Sequence, residues 1–239
     1  MACGDEAGHS PDVTKPPPRG DFLILPLHIH ILTAADHPEI DCKLSDGDID
    51  RIVGKMNKVW SVGGIAFRIA SLNREAAVNL DEFDKQKDRI AAGALGVYRL
   101  LAPPATRDLP GLHIYFIHAF AVNGVYLGGN ICFVQETARL RKVNGGIDEP
   151  IPRVSSHELG HALSLVHRQA TFNLMASGTT GTILNEMEVA HSRATAKKVS
   201  GMMTVEECEA AAATAEKAGD EKAAKALKTV LAGLPAAEK

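Results

Sequence analysis

Hydrophobic and polar positions alternate cleanly near the start of the chain. Between Phe22 and Thr33, Leu27, Ile29 and Ile31 share one parity and His28 and His30 the other, which is the period of a β-strand. The period then lengthens. Ser45-Asp46-Gly47-Asp48 has the form of a capping box with Asp in place of Glu. It opens a helix carrying Ile49, Ile52, Val53, Met56 and Trp60 at helical spacing, closed by Gly63-Gly64. Ile65 to Leu72 returns as a strand. Asp81 to Leu101 places Ile90, Ala94, Val97 and Leu101 three or four residues apart, predicting a second long helix that Pro103-Pro104 ends. Leu112 to Phe120 reads as a third strand. Gly124 to Val134 reads as a fourth, with Gly128-Gly129 marking a bulge or a close backbone approach. Residues 183–198 are helical in pattern, and 204–239 predict two helices broken near Gly219-Asp220, a surface helical hairpin. Strands alternating with helices define an α/β (α+β) layered fold.

Composition narrows the possibilities. The chain has 239 residues, 45% of them hydrophobic and 23% charged, which is globular rather than disordered or fibrous. A net charge of −3 excludes the basic excess of a nucleic-acid-binding surface. No apolar run is long enough for a membrane-spanning helix. Residues 1–20, rich in proline and glycine, predict a flexible leader. Met1-Ala2-Cys3-Gly4 suggests a bacterial lipoprotein with Cys3 as the lipidated residue, chance being the rival explanation. An extracytoplasmic location, secreted or lipid-anchored, is the matching expectation. Cys3, Cys42, Cys132 and Cys208 form no CxxC pair, and free buried thiols compete with disulfides whose pairing spacing cannot choose.

The chemistry concentrates in residues 157–167, His-Glu-Leu-Gly-His-Ala-Leu-Ser-Leu-Val-His. On a helix, His157 and His161 project from one face, about 6 Å apart at Cβ, which suits two ligands of one zinc ion. Glu158 falls beside that position without being a ligand. Pro150 and Pro152 fit the first turn of this helix. A continuous helix would carry His167 about 9 Å beyond His161 and rotate it off the ligand face. A sharp turn near Ser164 instead returns His167 to complete a three-histidine set with one open position, the mark of a catalytic metal. His28 and His30, at i and i+2, fit a polar strand face better than a metal site.

This string resembles the metzincin clan of zinc metallopeptidases, whose motif is HExxHxxGxxH. It matches at His157, Glu158, His161 and His167 and departs at Ser164, where the clan has glycine. Asn173-Leu174-Met175-Ala176 resembles the clan's Met-turn, eight residues after His167, a matrixin-like spacing. The resemblance implies a twisted mixed sheet with two long helices and an active-site helix, followed by a small helical part. It implies a catalytic domain over 21–200, with an upper part at 21–167 and a lower part at 168–200; the Ala-rich helical tail at 201–239 is read from its own composition and has no counterpart in the resemblance. The resemblance further implies a zinc endopeptidase with Zn2+ on the three histidines, Glu158 as general base, and Met175 packed beneath the ligands. The strand at 124–134 would form the upper rim of the cleft and 177–182 the wall of the pocket beyond the scissile bond. A protein or peptide substrate and a monomeric state complete the expectation. Two alternatives stand beside it: a gluzincin-type peptidase with Glu186 as third ligand, and a non-catalytic zinc-containing binding module.

Overall fold

A computed structural model describes residues 10–236. The alternation at the start forms β1 (Leu23–Thr33), and the capping box forms as expected. Ser45 accepts from the Asp48 N–H, and the Asp48 carboxylate accepts from the Ser45 N–H, at the head of α1 (Asp46–Trp60). After Gly64, in the left-handed region at φ 61°, β2 runs from Ile65 to Ala76. The single helix expected over 81–101 is absent. The chain instead makes α2 (Leu80–Gln86), α3 (Asp88–Ala91) and a 3-10 segment over Leu95–Leu101. Gly93 sits at φ 89°, outside any right-handed helix, so the apolar spacing survives in sequence while the helix does not.

Past the short α4 (Pro104–Arg107) comes β3 (Leu112–Ile117). The expected fourth strand is two strands, β4 (Gly124–Tyr126) and β5 (Ile131–Gln135), paired antiparallel. Gly128, Gly129 and Asn130 all have positive φ (78°, 58° and 63°), so this stretch is a turn, not a bulge. The strand order is β2-β1-β3-β5-β4, parallel except for β4. The remaining elements are α5 (Pro150–Ala162), α6 (Glu186–Ala196), the two-residue β6 (Met203–Thr204, antiparallel to β1), α7 (Val205–Lys217) and α8 (Glu221–Ala232). The sheet is therefore mixed, with helices on both sides.

Strand parity sorts the core. Leu25, Leu27, Ile29 and Ile31 of β1 join Ile114 and Phe116 of β3 and Cys132 and Val134 of β5 against α1 and α5. The opposite face is covered in two apolar patches. Phe22, Ile24 and Ala66 pack on Val205, Leu227 and Val230, so the tail's helical hairpin is seated on the sheet. Leu32, Tyr115 and Phe133 pack on Phe83 and Tyr98. Between these patches lie His28, His30 and His113, buried and mutually stacked. His28 bonds Ser71 Oγ and Pro110 O, and His30 bonds Glu75 and His113. These rings are a polar strand face satisfied within the fold.

Residues 10–20 lie along the surface. Val13 N–H donates to Leu184 O, Glu186 N–H to Pro11 O, and Arg19 Nη1 to Leu231 O. Cys42, Cys132 and Cys208 are free and buried. Cys3, with the anchor expected there, lies outside the described residues. Among the described residues no helix is long and apolar enough to cross a membrane.

Candidate metal centre and cleft

Helix α5 is almost wholly buried, wedged between α1 and strands β4 and β5, and Pro150 occupies its first position. Its end is set by a Schellman arrangement. Leu165 N–H reaches back to Gly160 O (2.9 Å) and Ser164 N–H to His161 O (3.0 Å). Ser164, in the position glycine favours, has φ 68°. The chain therefore reverses where the spacing required, and His167 returns toward the helix.

The result is a compact triad. His157 Nε2 lies 3.2 Å from the Nε2 atoms of both His161 and His167, and those two lie 3.1 Å apart. His157 Nδ1 is 2.8 Å from Leu174 O and His161 Nδ1 is 2.8 Å from Leu165 O. A carbonyl only accepts, so each Nδ1 carries the proton and each Nε2 of these two neutral rings presents a bare lone pair. Burial favours the neutral form, lowering His157 to about 3 and His161 in the same direction. Lone pairs converging in this way suit a cation shared between them. Tetrahedral zinc with bonds of about 2.0–2.1 Å separates its ligand nitrogens by about 3.3–3.4 Å, close to the triangle formed here. Among the described residues this is the one group of three or more such side chains placed to share an ion. Glu186 is exposed in the first turn of α6 and is not part of it.

Beneath the triad, Asn173 to Ala176 forms a tight turn. Ala176 N–H donates to Asn173 O and Met175 N–H to Asn173 Oδ1. Met175 is fully buried, and its Sδ stands 2.5 Å from where a Cβ on Gly160 would be, so the turn packs directly against the helix. Glu188, which the sequence reading passed over, holds this turn from the far side. Its carboxylate accepts from Arg168 Nε (2.8 Å), Asn173 Nδ2 (2.8 Å) and Asn185 N–H (2.9 Å). The Asn185-x-x-Glu188 capping box was the available signal.

Glu158 and the three histidines line a cleft of about 710 Å³ bounded by Val122 to Tyr126, Leu140, Val154 and Ser177-Gly178. Burial pushes the Glu158 carboxyl up to about 8, opposed by the Tyr126 backbone N–H and by the charge on Arg153. Strand β4, last in the sheet order, flanks this carboxylate and offers a free edge to the cleft.

No protein-family model and no curated protein matches the chain. Three solved structures are similar in chain course. Mirolysin in complex with a compound is 11% identical, with 73% of this chain and 91% of that chain covered and a TM-score of 0.46. A chaperone-substrate complex is 14% identical, with 74% and 34% covered and a TM-score of 0.42. Archaemetzincin from Methanopyrus kandleri is 16% identical, with 75% and 98% covered and a TM-score of 0.43.

Proposed function

We propose that the chain is a zinc-dependent endopeptidase of the metzincin type. The observation that carries this is the meeting of three imidazole Nε2 atoms at 3.1–3.2 Å in one cleft with a buried carboxyl, Glu158. His157, His161 and His167 would hold the ion. Three ligands leave a fourth position open, as hydrolytic sites require and structural sites do not. When bound, zinc supplies Lewis acidity toward the scissile carbonyl and makes water a nucleophile near neutral pH.

The remaining work belongs to the chain. Glu158, next to the first ligand and sheltered by β4, takes the proton of the attacking water on a carboxylate oxygen and passes it to the leaving amine. Burial raises its affinity for a proton in the metal-free chain, and a bound zinc ion would oppose that rise. Leu174 O and Leu165 O orient His157 and His161 by accepting from their Nδ1 atoms, which fixes where the Nε2 lone pairs point. The open edge of β4 lets an extended peptide add to the sheet by backbone hydrogen bonds, placing its carbonyl at the triad.

Metal analysis with a peptidase assay tests the proposal. Wild type should bind one zinc and cleave peptides. Glu158→Gln should keep the zinc and lose a factor of about 10²–10⁴ in rate. Zinc binding with no hydrolysis by the wild type would leave the chain a zinc-containing binding module.

A further inference from the structure

The cleft has one cation in its lining, Arg153, one helical turn before His157. It is 1% exposed. Its guanidinium donates through Nε to Gly181 O (3.0 Å) and through Nη2 to Asn173 O (3.3 Å) and Ala176 O. All three acceptors are neutral carbonyls of the Met-turn and of the 177–182 wall. Nη1 has no hydrogen-bond partner among the described residues, and no carboxylate forms an ion pair with Arg153 there. Glu158 is near enough for its charge to be felt but stands beyond ion-pair distance.

Carbonyls satisfy donors without neutralising charge, and a buried unpaired guanidinium is costly by several kcal/mol. A clamp on three carbonyls needs hydrogen-bond donors but no net charge. Apart from Glu158 and the three histidines, the rest of the pocket lining is uncharged, with Asn123, Tyr126 and Ser177 its polar members. Glu158 is the one acid among the lining residues, and proton transfer employs it in the proposed reaction. The pocket therefore has a positive base with an unused fork nitrogen, and its one acid, Glu158, stands beyond ion-pair distance of it.

We propose that Arg153 selects substrates with a carboxylate on the leaving-amine side of the scissile bond. That carboxylate is either a Glu or Asp side chain in the first residue after the bond, or a free C-terminus close to it. The assignment rests on the peptidase function proposed above.

The test has a kinetic arm and a binding arm. In the first, wild-type zinc protein is given end-blocked fluorogenic peptides that differ only in the first residue after the bond: Glu, Gln, Leu or Lys. A Leu peptide with a free, nearby C-terminus is added to separate the two sources of carboxylate. Expected is a kcat/KM for Glu, or for the free terminus, at least about tenfold above Gln and the blocked Leu peptide, with Lys poorest. Arg153→Met should bring the Glu-to-Gln ratio within about twofold whatever its absolute rate, and Arg153→Lys should fall between. In the second arm, Glu158→Gln protein is titrated calorimetrically with amidated tripeptides beginning with Glu or Gln. The Glu tripeptide should bind at least about tenfold more tightly, and Arg153→Met should remove the difference. Equal kcat/KM for Glu, Gln and Leu, or equal binding of the two tripeptides, would overturn the role of Arg153 and leave the peptidase proposal standing. Absence of cleavage of every peptide would sink the peptidase proposal, and the binding arm would still decide whether Arg153 takes a carboxylate.

Discussion

Ser164→Gly isolates the backbone geometry that brings the third histidine to the others. Ser164 is exposed and sits at φ 68°, so removing its side chain disturbs no packing and relieves a left-handed conformation that disfavours residues with a Cβ by about 1–2 kcal/mol. Two effects oppose the gain. Glycine loses more freedom on folding, about 0.4–1 kcal/mol. The hydrogen bond that Thr195 Oγ1 donates to Ser164 Oγ disappears, a net loss of about 0.5 kcal/mol at a solvent-exposed position. The balance lies between about −0.5 and +1 kcal/mol in favour of glycine. Ser164→Ala makes the sharper comparison, since it loses the same hydrogen bond and keeps the strained backbone. Glycine should therefore exceed alanine by about 1 kcal/mol, or about 2–4 °C in Tm for a chain of this size. Urea denaturation of the metal-free proteins reads the difference, and zinc affinity should be unchanged in both. An alanine variant as stable as the glycine variant would refute the left-handed turn at Ser164 and, with it, the route by which His167 reaches the site.

His167→Ala should weaken zinc binding sharply under mild chelation while Glu186→Ala leaves it intact. The reverse ranking would transfer the third ligand to Glu186. Gly160→Ala should destabilise the fold by about 1–3 kcal/mol, because its new methyl would stand 2.5 Å from Met175 Sδ. A neutral result in thermal denaturation would mean that Met175 moves aside freely. Acid should also weaken the fold through the histidines on the tail side of the sheet. Burial holds His30 neutral, its pKa lowered from 6.5 to about 3, and lowers His28 and His113 likewise. Their depressed folded pKa values mean that below about pH 6.5 the unfolded chain binds more protons. The stability from their neutrality is present above that pH and is lost as pH falls toward 3. The slope is up to about 1.4 kcal/mol per pH unit for a ring held fully neutral. Denaturation of zinc-free protein at pH 6.5 and 5.0, with the His30 ring followed by NMR, checks this. Equal stabilities, or a His30 that protonates near pH 6.5, would contradict it.

The readable parts of the fold were those in which one local rule decides. In β1, parity alone put Leu27, Ile29 and Ile31 on one face and His28 and His30 on the other, and the sheet keeps that assignment. The Ser45 and Asp48 pattern fixed the start of α1, because the cap is made by neighbours in sequence. Local rules failed where a few backbone torsions outvoted side-chain spacing. Apolar spacing over 81–101 is helical, but Gly93 at φ 89° divides it. Gly128, Gly129 and Asn130 contain a turn that a longer apolar run disguised. The site divides in the same way. His157, Glu158 and His161 follow from helical periodicity and His167 from one forced turn. Arg153 bonds carbonyls of the Asn173–Ala176 turn and of Gly181, 20–28 residues away, so no window of sequence displays it, and the capping box that shows Glu188 locally says nothing of its bonds to Arg168 and Asn173, 20 and 15 residues away.

What shapes the cleft is as much missing side chains as present ones. A Cβ on Gly124 would stand 2.6 Å from Val154 Cγ1 and 3.1 Å from Glu158 Oε1, so β4 approaches α5 this closely only because its first residue has none. That approach covers Glu158 and, by excluding water, raises its proton affinity. On the opposite side of the helix, Gly160 lets Met175 reach the backbone between the two ligand turns. That contact lets the turn present Leu174 O to His157 Nδ1 at 2.8 Å. One close approach thus sets the electrostatics of Glu158, the proposed general base, and the other the orientation of His157, a proposed ligand. Both depend on residues that contribute no side chain at all. The spacing of His157, Glu158, His161 and His167 explains why these groups meet, and the two glycines explain how closely β4 and the Asn173–Ala176 turn approach them.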